Sequence, residues 1–114
     1  MSQHPEGGLS NLEYHVLLAT ADGPLHGYAI RDAVEEESAG VVAPRAGSLY
    51  RVIARLVEAG FLREASSSES EGPHPGRPRR YYALTPAGRT VLADEARRLE
   101  DAAALALRRL GARS

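Results

Sequence analysis

Three successive segments carry apolar residues at helical spacing, two short aromatic and apolar runs then flank a Ser/Gly/Pro-rich stretch, and the last segment repeats its apolar positions in heptads. Together they predict a mainly α (α+β) fold, a winged helix-turn-helix with a two-stranded β-wing and a long C-terminal dimerisation helix. At 114 residues the chain has the length of one such unit. The expected organisation is a flexible N-terminal tail over residues 1–8, the winged domain over 9–85 and the dimerisation helix over 86–114.

The first helix opens at Ser10. Glu13 stands three positions on, the spacing at which a capping hydroxyl and a carboxylate satisfy each other's backbone donors. Leu9, Leu12, Val16, Leu17 and Ala19 follow at helical spacing, and Ala21-Asp22-Gly23-Pro24 ends the run. A second helix begins around His26-Gly27-Tyr28, with Tyr28, Ala29, Ala33 and Val34 on one side and Arg31, Asp32, Glu35 and Glu36 on the other. It stops before Gly40.

The third helix runs from Gly47 and puts Leu49, Val52, Ile53, Leu56 and Val57 on one stripe. Gly60 sits where a residue with positive φ ends the helix. Phe61–Ala65 and Arg79–Leu84 then read as the two strands of a hairpin. Between them, Ser66 to Pro78 holds four Ser, two Gly and three Pro in thirteen residues, a composition that buries little apolar surface.

Thr85-Pro86 starts the last helix with a capping hydroxyl and a proline at the first helical position. Leu92, Ala96, Leu99, Ala103, Ala106 and Leu110 recur at gaps of 4, 3, 4, 3 and 4, a heptad seam. Residues 86–110 would extend about 37 Å at roughly 1.5 Å per residue. That is longer than the domain's own core requires, so a homodimer is expected along this seam.

The composition excludes several classes. No cysteine is present, which leaves no disulfide framework, Cys-based zinc site or thiol nucleophile. No apolar run reaches the roughly 18 residues of a membrane span, and Met1 to Gly8 lacks the order of a signal peptide. The expected location is cytoplasmic, without membrane contact. Motifs for catalysis are lacking too: there is no nucleophile elbow or Gly-rich phosphate cradle, so no enzyme is expected. The acidic runs Glu35-Glu36-Glu37 and Asp94-Glu95 read as solvated helix faces. His4, His15, His26 and His74 are scattered with no pair at i,i+4, so neither a metal site nor a cofactor is expected.

Taken as a sum, the net charge of −1 argues against a nucleic-acid partner, but its distribution reverses that argument. All 14 basic residues are Arg, and the abundance of Arg and of the 19 Ala reads as GC-rich codon usage, which makes their number weak evidence for function. Their placement is more telling. Residues 41–62 hold Arg45, Arg51 and Arg55 against Glu58, a net +2, and residues 76–89 hold Arg77, Arg79, Arg80 and Arg89 with no acid, a net +4. The remainder carries −7.

In a winged helix-turn-helix the third helix enters the major groove of double-stranded DNA. Arg51 and Arg55 stand one turn apart and can reach phosphates or the O6 and N7 of guanine, while Ser48 and Tyr50 can bond phosphate or base edges. Arg77, Arg79 and Arg80 flank the hairpin tip, suited to phosphate or minor-groove contact. The alternative is a winged-helix module that has given up DNA and works through protein contacts along its heptad helix. The regional charge favours DNA.

Three motifs carry a family resemblance. His26-Gly27-Tyr28-Ala29-Ile30, then Gly47-Ser48-Leu49-Tyr50 with Arg55-Leu56 and Ala59-Gly60-Phe61-Leu62, then Arg79-Arg80-Tyr81-Tyr82-Ala83-Leu84-Thr85-Pro86-Ala87-Gly88-Arg89 closely resemble the PadR family of bacterial transcriptional regulators. The resemblance covers about residues 9 to 92 in continuous order.

It implies a repressor-type homodimer on a palindromic operator, released where an effector exists by a small molecule at or near the dimer interface. It also implies that Gly27 permits tight packing at the start of the second helix and that Tyr28 is part core and part phosphate contact. Tyr82 and Leu84 would pack under the wing, with Tyr81 and Arg80 facing outward or toward DNA. Arg51 departs from the many members that have Pro after the Leu-Tyr pair. The single last helix resembles the short subfamily. Some short members bind flat aromatic compounds with Trp, and this chain has none.

Overall fold

The structure is a computed structural model that describes residues 8–65 and 80–111. His4, His74, Arg77 and Arg79 therefore lie outside the described residues. Its elements are helix α1 (Asn11–Ala19), strand β1 (Leu25–His26), helices α2 (Gly27–Glu37) and α3 (Ala46–Glu58), strands β2 (Leu62–Ala65) and β3 (Tyr81–Leu84), and helix α4 (Pro86–Arg109).

The local signals act as the sequence suggests. Ser10 and Glu13 form a reciprocal capping box, with Glu13 N–H on Ser10 Oγ at 3.1 Å and Ser10 N–H on Glu13 Oε1 at 2.8 Å. Gly60 has φ +86° and closes α3 with two paired bonds, its own N–H to the Val57 carbonyl at 3.0 Å and that of Phe61 to Leu56 at 2.9 Å. Thr85 caps α4 through Gly88 N–H at 3.0 Å, and its hydroxyl donates to the Gly60 carbonyl at 2.6 Å. One side chain thus joins the end of α3 to the start of α4.

The core lies where α1 packs on α2, α3 and α4. Val16, Leu17, Ile30, Val34, Leu49, Ile53, Leu56 and Leu62 are its most deeply buried members, joined by Phe61, Tyr82, Val91 and Leu92. Ile30, rather than Tyr28, takes the inward position of α2, because the helix starts at Gly27 and turns Tyr28 out to 66% exposure. Tyr28 is therefore a surface residue and not part core.

The sheet has three antiparallel strands in the order β1-β3-β2. The two-stranded wing is present, with Leu62 opposite Leu84 and Ala65 opposite Tyr81. The additional strand pairs Leu25 with Tyr82 and His26 with Tyr81, and two residues are too short to leave a periodic trace in the sequence. His26 ends that strand and caps α2, its Nδ1 accepting Ala29 N–H at 3.3 Å. Tyr81 does not face outward or toward DNA. It is 3% exposed, stacked edge-on against His26 and clustered with Ala65 and Ala83 on the far face of the sheet.

One acid departs from the solvated helix faces, and a second, Glu37, stays exposed but finds a partner. Glu95 is 7% exposed. The Arg98 guanidinium holds its carboxyl below the ordinary range, more than burial raises it, and the Leu9 N–H donates to it as well. Glu95 thus fastens the start of the described chain to α4. Glu37 on α2 meets His15 on α1, Nδ1 to Oε1 at 3.5 Å, and burial raises its carboxyl with His15 opposing.

Candidate nucleic-acid interface

α3 turns Leu49, Val52, Ile53 and Leu56 into the core, which fixes its outward face. At 3.6 residues per turn, Gly47, Arg51, Ala54 and Glu58 lie within about 30° of the line opposite that stripe, with Ser48 and Arg55 on one flank and Tyr50 on the other. Arg45, Arg51 and Arg55 are exposed. Arg51 Nη2 reaches Ser48 Oγ at 3.5 Å. Arg45 precedes the helix with no side chain capping its first N–H groups, which leaves that end open to an anionic acceptor.

The flanks have partners that their position in the sequence conceals. On one side Arg55 Nε stands 4.0 Å from Glu13 Oε2, across from α1. On the other, Tyr50 lies against Gly27, where any side chain would collide with its ring and hydroxyl. Gly27 therefore serves as the predicted close-packing position, and its partner is the half-exposed Tyr50. Exposed Tyr28 follows it in α2.

β3 brings the wing to the same region. Arg80, Tyr82 and Leu84 share one face of the strand by its two-residue period. The Tyr82 hydroxyl is pushed above its ordinary pKa first by burial and then by nearby Glu64, with Tyr50 adding a smaller push; an Arg80 hydrogen bond works against these. Arg80 is exposed and pairs with Glu64 at 3.7 Å. Arg80 thus bonds Tyr82 at the tip end of β3, and Tyr50 of α3 stands near enough to Tyr82 to act on it, whereas Arg77 and Arg79 lie outside the described residues. Sequence periodicity carries no signal for the parts of Glu13 and Glu64, since each meets its Arg only after folding.

α4 projects beyond this domain. Leu92 is buried and Ala96 half-buried, but Leu99, Ala103, Ala106 and Leu110 are exposed in the single chain, Leu110 to 79%. Leu105, off the expected seam, is exposed to about the same degree as Leu99. Among the described residues no group of three or more His, Asp or Glu is placed to hold a metal ion, and no helix is long and apolar enough to cross a membrane.

A family model for the transcriptional regulator PadR-like family matches residues 16–94, which take in α2, α3, the wing and the first turns of α4. The chain belongs to the PadR-like family of transcriptional regulators. Over 81 residues it is 43% identical to an uncharacterized 37.1 kDa protein in transposon TN4556 of Streptomyces fradiae; that stretch is 71% of this chain and 21% of the relative. The chain thus spans about a fifth of the length of that curated relative.

The fold is shared with a PadR family transcription regulator from Clostridium difficile, with TM-score 0.71, 17% identity and coverage of 89% of this chain and 99% of that one. It is also shared with Bacillus subtilis PadR, whose structure was solved with operator DNA, at TM-score 0.63, 24% identity and coverage of 76% of this chain and 47% of that one. The winged helix-turn-helix expectation holds, as does the PadR resemblance.

Proposed function

We propose that this PadR-like regulator binds a palindromic operator in double-stranded DNA as a homodimer, acts in the cytoplasm and represses transcription. The observation that carries the reading is the exposed cationic outer face of α3, with Arg45, Arg51 and Arg55, together with exposed Arg80 at the tip end of β3. Bacillus subtilis PadR, which shares the fold, is seen on operator DNA. The interface comprises Tyr28, Arg45, Ser48, Tyr50, Arg51, Arg55 and Arg80, extended by Arg77 and Arg79.

Binding is driven by phosphate neutralisation and steered by the opposed charges of the two regions. Pairing of two α4 seams, Leu92, Ala96, Leu99, Ala103, Ala106 and Leu110, sets two α3 helices against successive major grooves about 34 Å apart. A small-molecule effector that prefers a different dimer angle spoils that spacing and releases the DNA. No enzymatic step is involved.

A salt series on DNA from the protein's own promoter region tests the reading. Affinity should fall steeply with salt and exceed that for random duplex. A shallow salt dependence with no preference would refute it and leave the α4 seam to a protein partner.

A further inference from the structure

Glu13 completes the capping box of α1, and the two oxygens of its carboxylate face two different partners. Oε1 accepts the Ser10 N–H at 2.8 Å, and Oε2 faces Arg55 Nε at 4.0 Å. The backbone bond and the position in the first turn of α1 fix the acid, whose side chain is 15% exposed, while that of Arg55 is 62% exposed. An exposed arginine otherwise samples many rotamers; here the carboxylate, at ion-pair distance and short of a hydrogen bond, draws its guanidinium toward the α1 side of α3. Its N–H donors remain for another acceptor.

The side on which Arg55 is held decides what it can meet. A helix about 10–12 Å across fills a major groove about 12 Å wide, so residues opposite the buried stripe meet base edges and residues on its flanks meet the groove walls, which are phosphates. Arg51 lies about 30° from that opposite line and Arg55 about 70° from it. Glu58, close to the line at the C-terminal end, repels phosphate and makes the N-terminal half the entering end.

Resting on the DNA-binding reading above, the geometry points to Glu13 as a positioning residue that holds Arg55 against the phosphate backbone, leaving Arg51 as the base-reading arginine of α3. Specificity and anchoring are thereby divided between two arginines one turn apart.

Glu13→Gln separates this role from folding, because glutamine at the third helical position also completes a capping box. The probes are a duplex selected from a random pool by the unaltered protein and an unselected duplex. Arg51→Ala should collapse the preference between them. Arg55→Ala should weaken both alike and lower the salt slope by about 1. Glu13→Gln should leave the melting temperature unchanged and weaken both duplexes about two- to fivefold, the scale of an exposed ion pair.

In an Arg55→Ala background that loss should vanish or reverse. Removing a carboxylate beside DNA then leaves affinity unchanged or raises it, since there is no longer an arginine to position. Equal effects of Glu13→Gln in both backgrounds would overturn the positioning role. A loss of preference in Arg55→Ala comparable to that in Arg51→Ala would overturn the division of labour. If the unaltered protein selects no duplex and shows no salt-dependent binding, the DNA reading itself falls, an outcome distinct from both.

Discussion

Gly88→Ala tests how α4 is seated on the winged domain. Gly88 is buried in the first turn of that helix, and a Cβ there would run into the Phe61 carbonyl oxygen and a Leu84 methyl. That carbonyl accepts the Thr85 N–H at 3.1 Å, so it cannot move aside without loosening the bond that ties the start of α4 to the wing. Three effects compete. Replacing glycine by alanine in a helix favours the folded state by about 1 kcal/mol. Overpacking costs about 1–3 kcal/mol, and the weakened hydrogen bond about 1 kcal/mol more. The clash wins by about 2 kcal/mol, which in a domain of this size lowers the melting temperature by roughly 8–16 °C.

Gly27→Ala is the matched control. Its added methyl also collides, but with the ring and hydroxyl of Tyr50, which is 44% exposed and can rotate away. Its stability should change by less than about 1 kcal/mol, while DNA affinity falls as Tyr50 is displaced. Melts followed by circular dichroism, with urea titrations, measure both. A Gly88→Ala protein that melts at or above the parent would refute the packing argument. Equal losses from the two glycines would show that side-chain and backbone obstacles do not differ here.

Three further outcomes are expected. Ser10→Ala removes the hydroxyl that caps α1 and should cost about 1 kcal/mol in urea unfolding, and an unchanged midpoint would mean the cap carries no stability. Glu95 has its pKa lowered from 4.5, so its link to Arg98 and Leu9 stabilises the fold above that pH and is lost as pH falls through the lower folded value. Glu95→Gln should therefore melt below the parent at neutral pH, with the gap closing on acidification, and a constant gap would contradict the linkage. Leu99→Glu with Leu110→Glu places acids on the exposed half of the α4 seam. Sedimentation at micromolar concentration should show a dimer for the parent and a monomer for the variant, and a dimeric variant would remove the seam from the interface.

Much of this molecule is legible in the chain because its signals are local. Ser10 and Glu13 are three residues apart, Gly60 follows its helix directly, and Thr85-Pro86 opens the next. Each acts through bonds to its nearest neighbours, so spacing alone reveals it. The stripe of α3 is legible for the same reason, since burying Leu49, Val52, Ile53 and Leu56 leaves Arg51 no direction but outward.

The misread positions are those where the neighbours come from elsewhere in the chain. Tyr28 and Tyr81 are both aromatic residues beside a turn, yet one is bare and the other enclosed, because α2 begins at Gly27 and β1 adds its edge to β3. Glu95 looks like any acid on a long helix until Leu9 and Arg98 surround it. The sequence by itself determined the order of helices and strands, their caps, the face that α3 buries, and a balance of charge that sets a cationic surface against an acidic remainder. Only the tertiary structure decided that Glu13 meets Arg55, that Tyr50 rests on Gly27, and that Arg80 pairs with Glu64 across the wing. Those contacts span tens of residues, and packing, unlike periodicity, leaves no spacing along the chain from which to read them.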